Sequence, residues 1–123
     1  MDTSKKVLVV DDFSTMRKIA RTMLGKLGFE NIDEAVSGKD GWEKIQSSDY
    51  DVVLTDWNMP EMTGLELLKA VRADDKYKSL PVILISAESE KSQIVEASQN
   101  GVSGYILKPY TADLLKDTLE KHL

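Results

Sequence analysis

The stretch Asp51-Val52-Val53-Leu54-Thr55-Asp56-Trp57-Asn58-Met59-Pro60-Glu61-Met62-Thr63-Gly64-Leu65-Glu66-Leu67-Leu68 reads as one structural unit. Val52 to Thr55 is a largely apolar run with no polar alternation, the pattern of a strand buried on both faces. It stops at a carboxylate, Asp56. Beyond the loop of residues 57–62, Thr63 and Glu66 have the S/T-x-x-E spacing of a capping box, and Leu65, Leu68 and Val71 carry a helix onward. A buried strand, a short loop and an amphipathic helix form the repeating step of a parallel sheet.

The same step recurs on both sides. Residues 5–10 form a β-branched run that ends abruptly at Asp11-Asp12. Ser14 is placed to cap a helix whose Met16, Ile19, Ala20, Met23, Leu24 and Leu27 make one apolar stripe, with Gly28 as its stop. Residues 31–36 make a more polar strand, suited to a sheet edge, and residues 37–46 a short helix with Trp42 and Ile45 facing inward. After a solvated loop at residues 74–80, Pro81 opens the strand Val82-Ile83-Leu84-Ile85. Residues 89–100 read as a polar helix with Ile94, Val95 and Ala97, closed by Gly101. Gly104 to Leu107 is the last strand, and Thr111 caps a final helix through Leu114, Leu115 and Leu119. Five strands alternate with five helices, which predicts a doubly wound α/β sandwich around a five-stranded parallel sheet.

Composition agrees with one domain spanning residues 1–123. With 41% apolar and 30% charged residues and no low-complexity tract, the chain is neither disordered nor collagen-like. No apolar run approaches the ~20 residues that span a bilayer, and the opening residues lack a signal core. The absence of cysteine removes disulfides, thiolate metal sites and cysteine catalysis, and suits a cytoplasmic protein. The formal net charge is −5, and the basic residues are scattered, so no nucleic-acid face is expected. The acidic excess lies mainly in the first half of the chain. A monomer is the expected state.

In an open parallel sheet the working site lies beyond the carboxyl ends of the strands. This chain ends its first strand in Asp11-Asp12, its third in Asp56, its fourth at Ser86 and its fifth at Lys108. Three carboxylates, a hydroxyl and an ammonium therefore converge. Two carboxylates at about 4 Å repel by about 4 kcal/mol at an effective dielectric of 20, so a cation is called for. With no cysteine and only His122, soft metals are improbable and Mg²⁺ fits best. A hard cation beside a carboxylate, an ammonium and a hydroxyl is a phosphoryl-transfer arrangement, in which a carboxylate can be the nucleophile. Asp56, alone at a central strand end, is the candidate; Asp11-Asp12 read as a metal-binding pair.

With these residues in place, the chain resembles the receiver domains of two-component response regulators, and among them the single-domain chemotaxis regulators. The matching stretches are LVVDDFSTMR, DWNMPEMTGLELLKAVRAD and GYILKPYTA, and the likeness covers essentially the whole chain. It implies the flavodoxin-like strand order 2-1-3-4-5, the published order of that fold. It further implies that Asp56 accepts a phosphoryl group from a histidine kinase, with Asp11, Asp12, Asp56 and the backbone carbonyl of Asn58 engaging Mg²⁺. Lys108 and Ser86 would hold phosphoryl oxygens, and the Lys108–Pro109 bond would be cis. Ser86 would swing toward the phosphoryl group, opening space over Ala87 for Tyr105 to turn inward as the switch. Asn58 and Glu88 would modulate dephosphorylation. The implied partners are a CheA-type histidine kinase, the flagellar motor switch protein FliM and a CheZ-type or other phosphatase.

Plainer readings attach to each residue. Asp11-Asp12 alone could mark a helix start, Asp56 an Asx turn, Ser86 a helix cap and Lys108 a solvated lysine. Their joint placement at four strand ends argues against all of these. Tyr105 and Trp57 could simply pack, Trp42 is expected in the core, and His122 is expected at the solvent. Two residues depart from the pattern of the motor-binding regulators: Ser86 stands where threonine is common, and Tyr110 where phenylalanine is frequent.

Three rivals remain. A receiver acting as a phosphate sink, or on a non-motor partner, would use the same chemistry. A haloacid dehalogenase-type phosphatase needs two aspartates separated by one residue after the first strand and a cap domain; here they are adjacent and no cap is present. A nucleotide carrier would need a Gly-rich phosphate loop, and no strand is followed by one.

Overall fold

The computed structural model describes residues 1–87 and 90–123. The strands are β1 (Val7–Val10), β2 (Ile32–Ala35), β3 (Val52–Asp56), β4 (Val82–Ser86) and β5 (Gly104–Leu107). The helices are α1 (Ser14–Lys26), α2 (Gly38–Ser47), α3 (Gly64–Ala73), α4 (Lys91–Gln99) and α5 (Ala112–Glu120). The sheet runs β2-β1-β3-β4-β5, and every neighbouring pair is parallel. This is the flavodoxin-like order, with the polar strand β2 at an edge.

Register places the site. Val10 pairs with Thr55, so Asp11 and Asp56, each the next residue of its strand, come level at adjacent carboxyl ends. Asp56 pairs with Ile85 and Ser86 with Leu107, which brings Ser86 and Lys108 to the same rim. A slip of one residue would turn these side chains to the opposite faces.

Alternate residues of each strand feed two cores. Val7, Val9, Val52, Leu54, Ile83 and Ile106 pack with Leu24, Leu115 and Leu119 beneath α1 and α5. Leu8, Val10, Val53, Val82 and Leu84 pack with Ile45, Leu68, Val71 and Ala97 beneath α2, α3 and α4. Local signals behave as their chemistry requires at most termini. Thr63 and Glu66 form both halves of the capping box, and Ser37 and Thr111 cap their helices through the side chain. Gly28, at φ 103°, takes the left-handed turn that ends α1.

Four expectations are corrected. Ser14 is the first residue of α1 rather than its cap; Phe13 holds the cap position and makes no side-chain bond. The apolar stripe of α1 is only partly buried: Ala20 and Leu24 are inside, whereas Ile19 is exposed. Met23 and Leu27 pack, partly buried, against the core, and Ile19 lines a groove with Met16, Met23, Pro109 and Tyr110. On α4, Ile94 and Val95 are exposed and Ala97 carries the packing. Residues 88 and 89, including the expected start of this helix, lie outside the described residues. Finally, His122 is part-buried, its Nε2 2.9 Å from the carbonyl oxygen of Ser103, rather than free at the solvent.

Candidate functional site

Asp11, Asp12 and Asp56 each offer a carboxylate oxygen, and these atoms lie within 4.8 Å of one another. Asp11 and Asp56 are 6% and 7% exposed, so their mutual repulsion is poorly screened by water. Lys108 answers part of it: its Nζ donates to Asp56 Oδ1 at 2.9 Å and stands 3.9 Å from Asp11 Oδ2. One ammonium cannot balance three carboxylates. In addition, Asp12 Oδ1 is buried with no hydrogen-bond partner. A buried acceptor left open is costly, and an oxygen-only donor set of this size suits a hard divalent cation.

The local backbone holds the carboxylates in place. Asp11 donates its N–H to the Ala35 carbonyl at 3.1 Å and accepts the Phe13 N–H on Oδ1 at 3.0 Å. After Asp56 the chain is pinned by Trp57 N–H to the Ile85 carbonyl and by Gly64 N–H to the Trp57 carbonyl. A Cβ at Gly64 would lie 2.2 Å from the Asp56 carbonyl oxygen, so only glycine lets α3 start against the end of β3. Ser86 is fully buried at the end of β4, and its carbonyl accepts the Lys108 N–H at 2.9 Å. The Lys108–Pro109 peptide bond is cis.

Burial pushes the Asp11 carboxyl above the usual carboxylate range, and the Asp56 charge adds to this against the Phe13 N–H and Lys108. A folded pKa above the unfolded one means that ionising Asp11 weakens the fold. Its stabilising contribution is complete below the unfolded value of 3.8 and is lost as pH rises through the raised folded value. Asp11→Asn keeps the acceptor for Phe13 and removes the charge, so without metal at neutral pH the variant should unfold at higher urea than the parent. A lower midpoint would contradict the reading.

The structure thus gathers Asp11, Asp12, Asp56, Ser86 and Lys108 at one rim. Asn58 follows on the exposed loop and Ala87 is exposed just past β4. Tyr105 is half-buried, its ring edge-on to Trp57 at 6.2 Å between centroids and 67° between planes. Glu88 lies outside the described residues. Sequence reasoning missed Arg17 and Glu34. Arg17 Nη1 donates to the Asp11 carbonyl at 2.8 Å, and its Nε donates to Glu34 Oε1 at 3.0 Å. The one available signal was a cation one turn into the helix that follows Asp11-Asp12.

Residues 7–120 match the family model described as the response regulator receiver domain. The chain belongs to this family. It is 52% identical over 116 residues to the chemotaxis protein CheY of Pseudomonas aeruginosa, covering 94% of each. It is 50% identical over 121 residues to CheY-3 of Vibrio cholerae, covering 98% of this chain and 93% of the relative. Among solved structures, Vibrio cholerae CheY4 superposes with a TM-score of 0.89 at 34% identity, covering 98% of this chain and 99% of that one. The receiver domain of the Pseudomonas aeruginosa sensor kinase PA1611, with magnesium coordinated in its active-site cleft, shares the fold with a TM-score of 0.87 at 22% identity. The chain is therefore a receiver of the CheY type, a signalling domain rather than a metabolic enzyme. No helix among the described residues is long and apolar enough to cross a membrane.

Proposed function

We propose that residues 1–123 act as one receiver domain that takes a phosphoryl group on Asp56 from a kinase phosphohistidine. The observation that carries this reading is the Lys108–Asp56 ion pair at 2.9 Å inside the three-aspartate cluster. A carboxylate oxygen of Asp56 attacks phosphorus, the phosphorus–nitrogen bond of the donor breaks, and the departing imidazole keeps the bonding pair and takes a proton. Lys108 stands where it pairs with the developing charge on the phosphoryl oxygens. Ser86 is at the right strand end to hold another of those oxygens.

The cation that fits the cluster is Mg²⁺, held by Asp11, Asp12, Asp56 and the Asn58 carbonyl. The orphaned Asp12 Oδ1 and the hard-donor set support that choice, and the magnesium-bound relative agrees with it. When bound, it supplies neutralisation of the phosphoryl charge. The residues' own part is to orient Asp56 and exclude competing acceptors.

A phosphoryl group adds about −1.5 to −2 of charge beside buried Ser86. Tyr105, packed on Trp57, is the element proposed to respond and to reshape the surface of α4, β5 and α5. By the family likeness, Asn58 and Glu88 are the positions proposed to modulate dephosphorylation. The partners follow from the family likeness: a CheA-type kinase, FliM as the target, and a CheZ-type or other phosphatase. The second reading, a phosphate sink or a non-motor partner, shares every step up to the target.

Trp57 is buried beside Asp56, so its fluorescence should report the site. Mg²⁺ is expected to quench it in the parent, and Asp12→Ala to weaken that titration by at least about tenfold through loss of a direct ligand. An unchanged titration would remove Asp12 from the metal set.

A further inference from the structure

We infer that Arg17 is a positioning residue for the acidic site, acting through the backbone of Asp11. Its guanidinium bridges two elements: Nη1 donates to the Asp11 carbonyl at 2.8 Å, and Nε donates to Glu34 on β2 at 3.0 Å. The side chain is only 15% exposed, so this is a placed group and not a solvated helix cation. Arg21 is a second cation nearby, its Nη1 3.5 Å from Glu34 Oε2, the oxygen that Arg17 Nε does not use, and donating to the Ile32 carbonyl at 2.9 Å. Lys44 donates to the Glu34 carbonyl, fixing the strand backbone behind the acid.

Asp11 is thereby fixed at three atoms. Its N–H goes to Ala35, its Oδ1 accepts from Phe13, and its carbonyl accepts from Arg17. The remaining oxygen, Oδ2, is left facing Lys108 and the rest of the cluster. A planar fork that donates from two nitrogens in different directions matches Glu34 Oε1 and the Asp11 carbonyl together; the single nitrogen of a lysine ammonium has to serve both from one point and holds them less well. The Glu34 carboxylate also offsets the guanidinium charge, so Arg17 orients the site without repelling a cation from it. Position and charge make opposite predictions here. If Arg17 acted only as a nearby positive charge, removing it would tighten cation binding.

This inference rests on the Mg²⁺ reading above, and the experiment separates the two. Mg²⁺ alone is titrated against Trp57 fluorescence in the parent, Arg17→Ala, Arg17→Lys and Arg21→Ala, with urea midpoints recorded for each. The expected result is an affinity lower by about tenfold in Arg17→Ala, the low end for a group that orients a metal ligand. Arg17→Lys should recover only part of it, and Arg21→Ala should stay within about twofold of the parent, since it leaves the Arg17 fork intact. A parent that responds to Mg²⁺ while Arg17→Ala binds it equally or more tightly would overturn this inference alone. So would an Arg21→Ala loss equal to that of Arg17→Ala, or full recovery in Arg17→Lys. A parent with no response to Mg²⁺ would overturn the metal reading and this inference with it.

Discussion

Asp56→Asn should reduce phosphoryl incorporation from acetyl phosphate and Mg²⁺ to background while leaving the protein folded. Asparagine has nearly the same shape, and its Oδ1 can still accept from Lys108, which now donates to Asp56 Oδ1 at 2.9 Å. What the amide lacks is the charge and nucleophilicity needed to attack phosphorus. Asp11 does not offer a substitute. Asp11 has one oxygen engaged by the Phe13 N–H and its lysine partner farther away, at 3.9 Å. Labelling followed by intact mass, with the modified peptide located by fragmentation, gives the measurement. Full labelling of the variant at another residue would sink the assignment of Asp56.

The second large effect is steric. Gly64→Ala places a methyl group 2.2 Å from the Asp56 carbonyl oxygen and 2.8 Å from Leu84 Cδ2. The leucine could turn, but the carbonyl belongs to β3, which is paired on both sides by β1 and β4. Either α3 lifts off the sheet or the end of β3 shifts, and both disturb buried packing. The expected cost is about 3 kcal/mol, the upper end for overpacking a core, read as a lower urea midpoint at unchanged slope. A loss below about 0.5 kcal/mol would mean that the loop of residues 57–63 yields freely, as a surface substitution does.

These two variants show which parts of the molecule were legible in the sequence. The strands were, because a strand buried on both faces reads as a near-continuous apolar run, and residues 52–54 and 82–85 are such runs. The acids at the strand ends were legible for the same reason: the apolar run has to stop at something. The capping box at Thr63 and Glu66 was readable because it is a local contract between neighbours. By contrast, Gly64 as a contact of Asp56 depends on how α3 meets β3 in space.

The same distinction explains the misses. Ile19 has helical spacing with Met23, but spacing fixes only that residues share a face, not how far across that face the core reaches. Arg17 carries no local signal of its role, since its partner Glu34 is on another element and enters only through the β1–β2 pairing. Ser14 has the residue type of a cap, yet Asp11 Oδ1 already takes the Phe13 N–H beside it, and the helix begins without a side-chain cap.

Charge at Asp56 is proposed to be transmitted to the surface of α4, β5 and α5, where Ile94, Val95, Leu107 and Leu114 are exposed. The most direct test is the binding of a fluorescent FliM amino-terminal peptide, with and without beryllofluoride and Mg²⁺. Trp57 quenching in the same sample confirms that the site is filled. Activation should tighten binding clearly, and Tyr105→Ala should lose that tightening. Quenching without any tightening would contradict the motor-target claim and leave a phosphate sink or a different partner as the reading of this receiver.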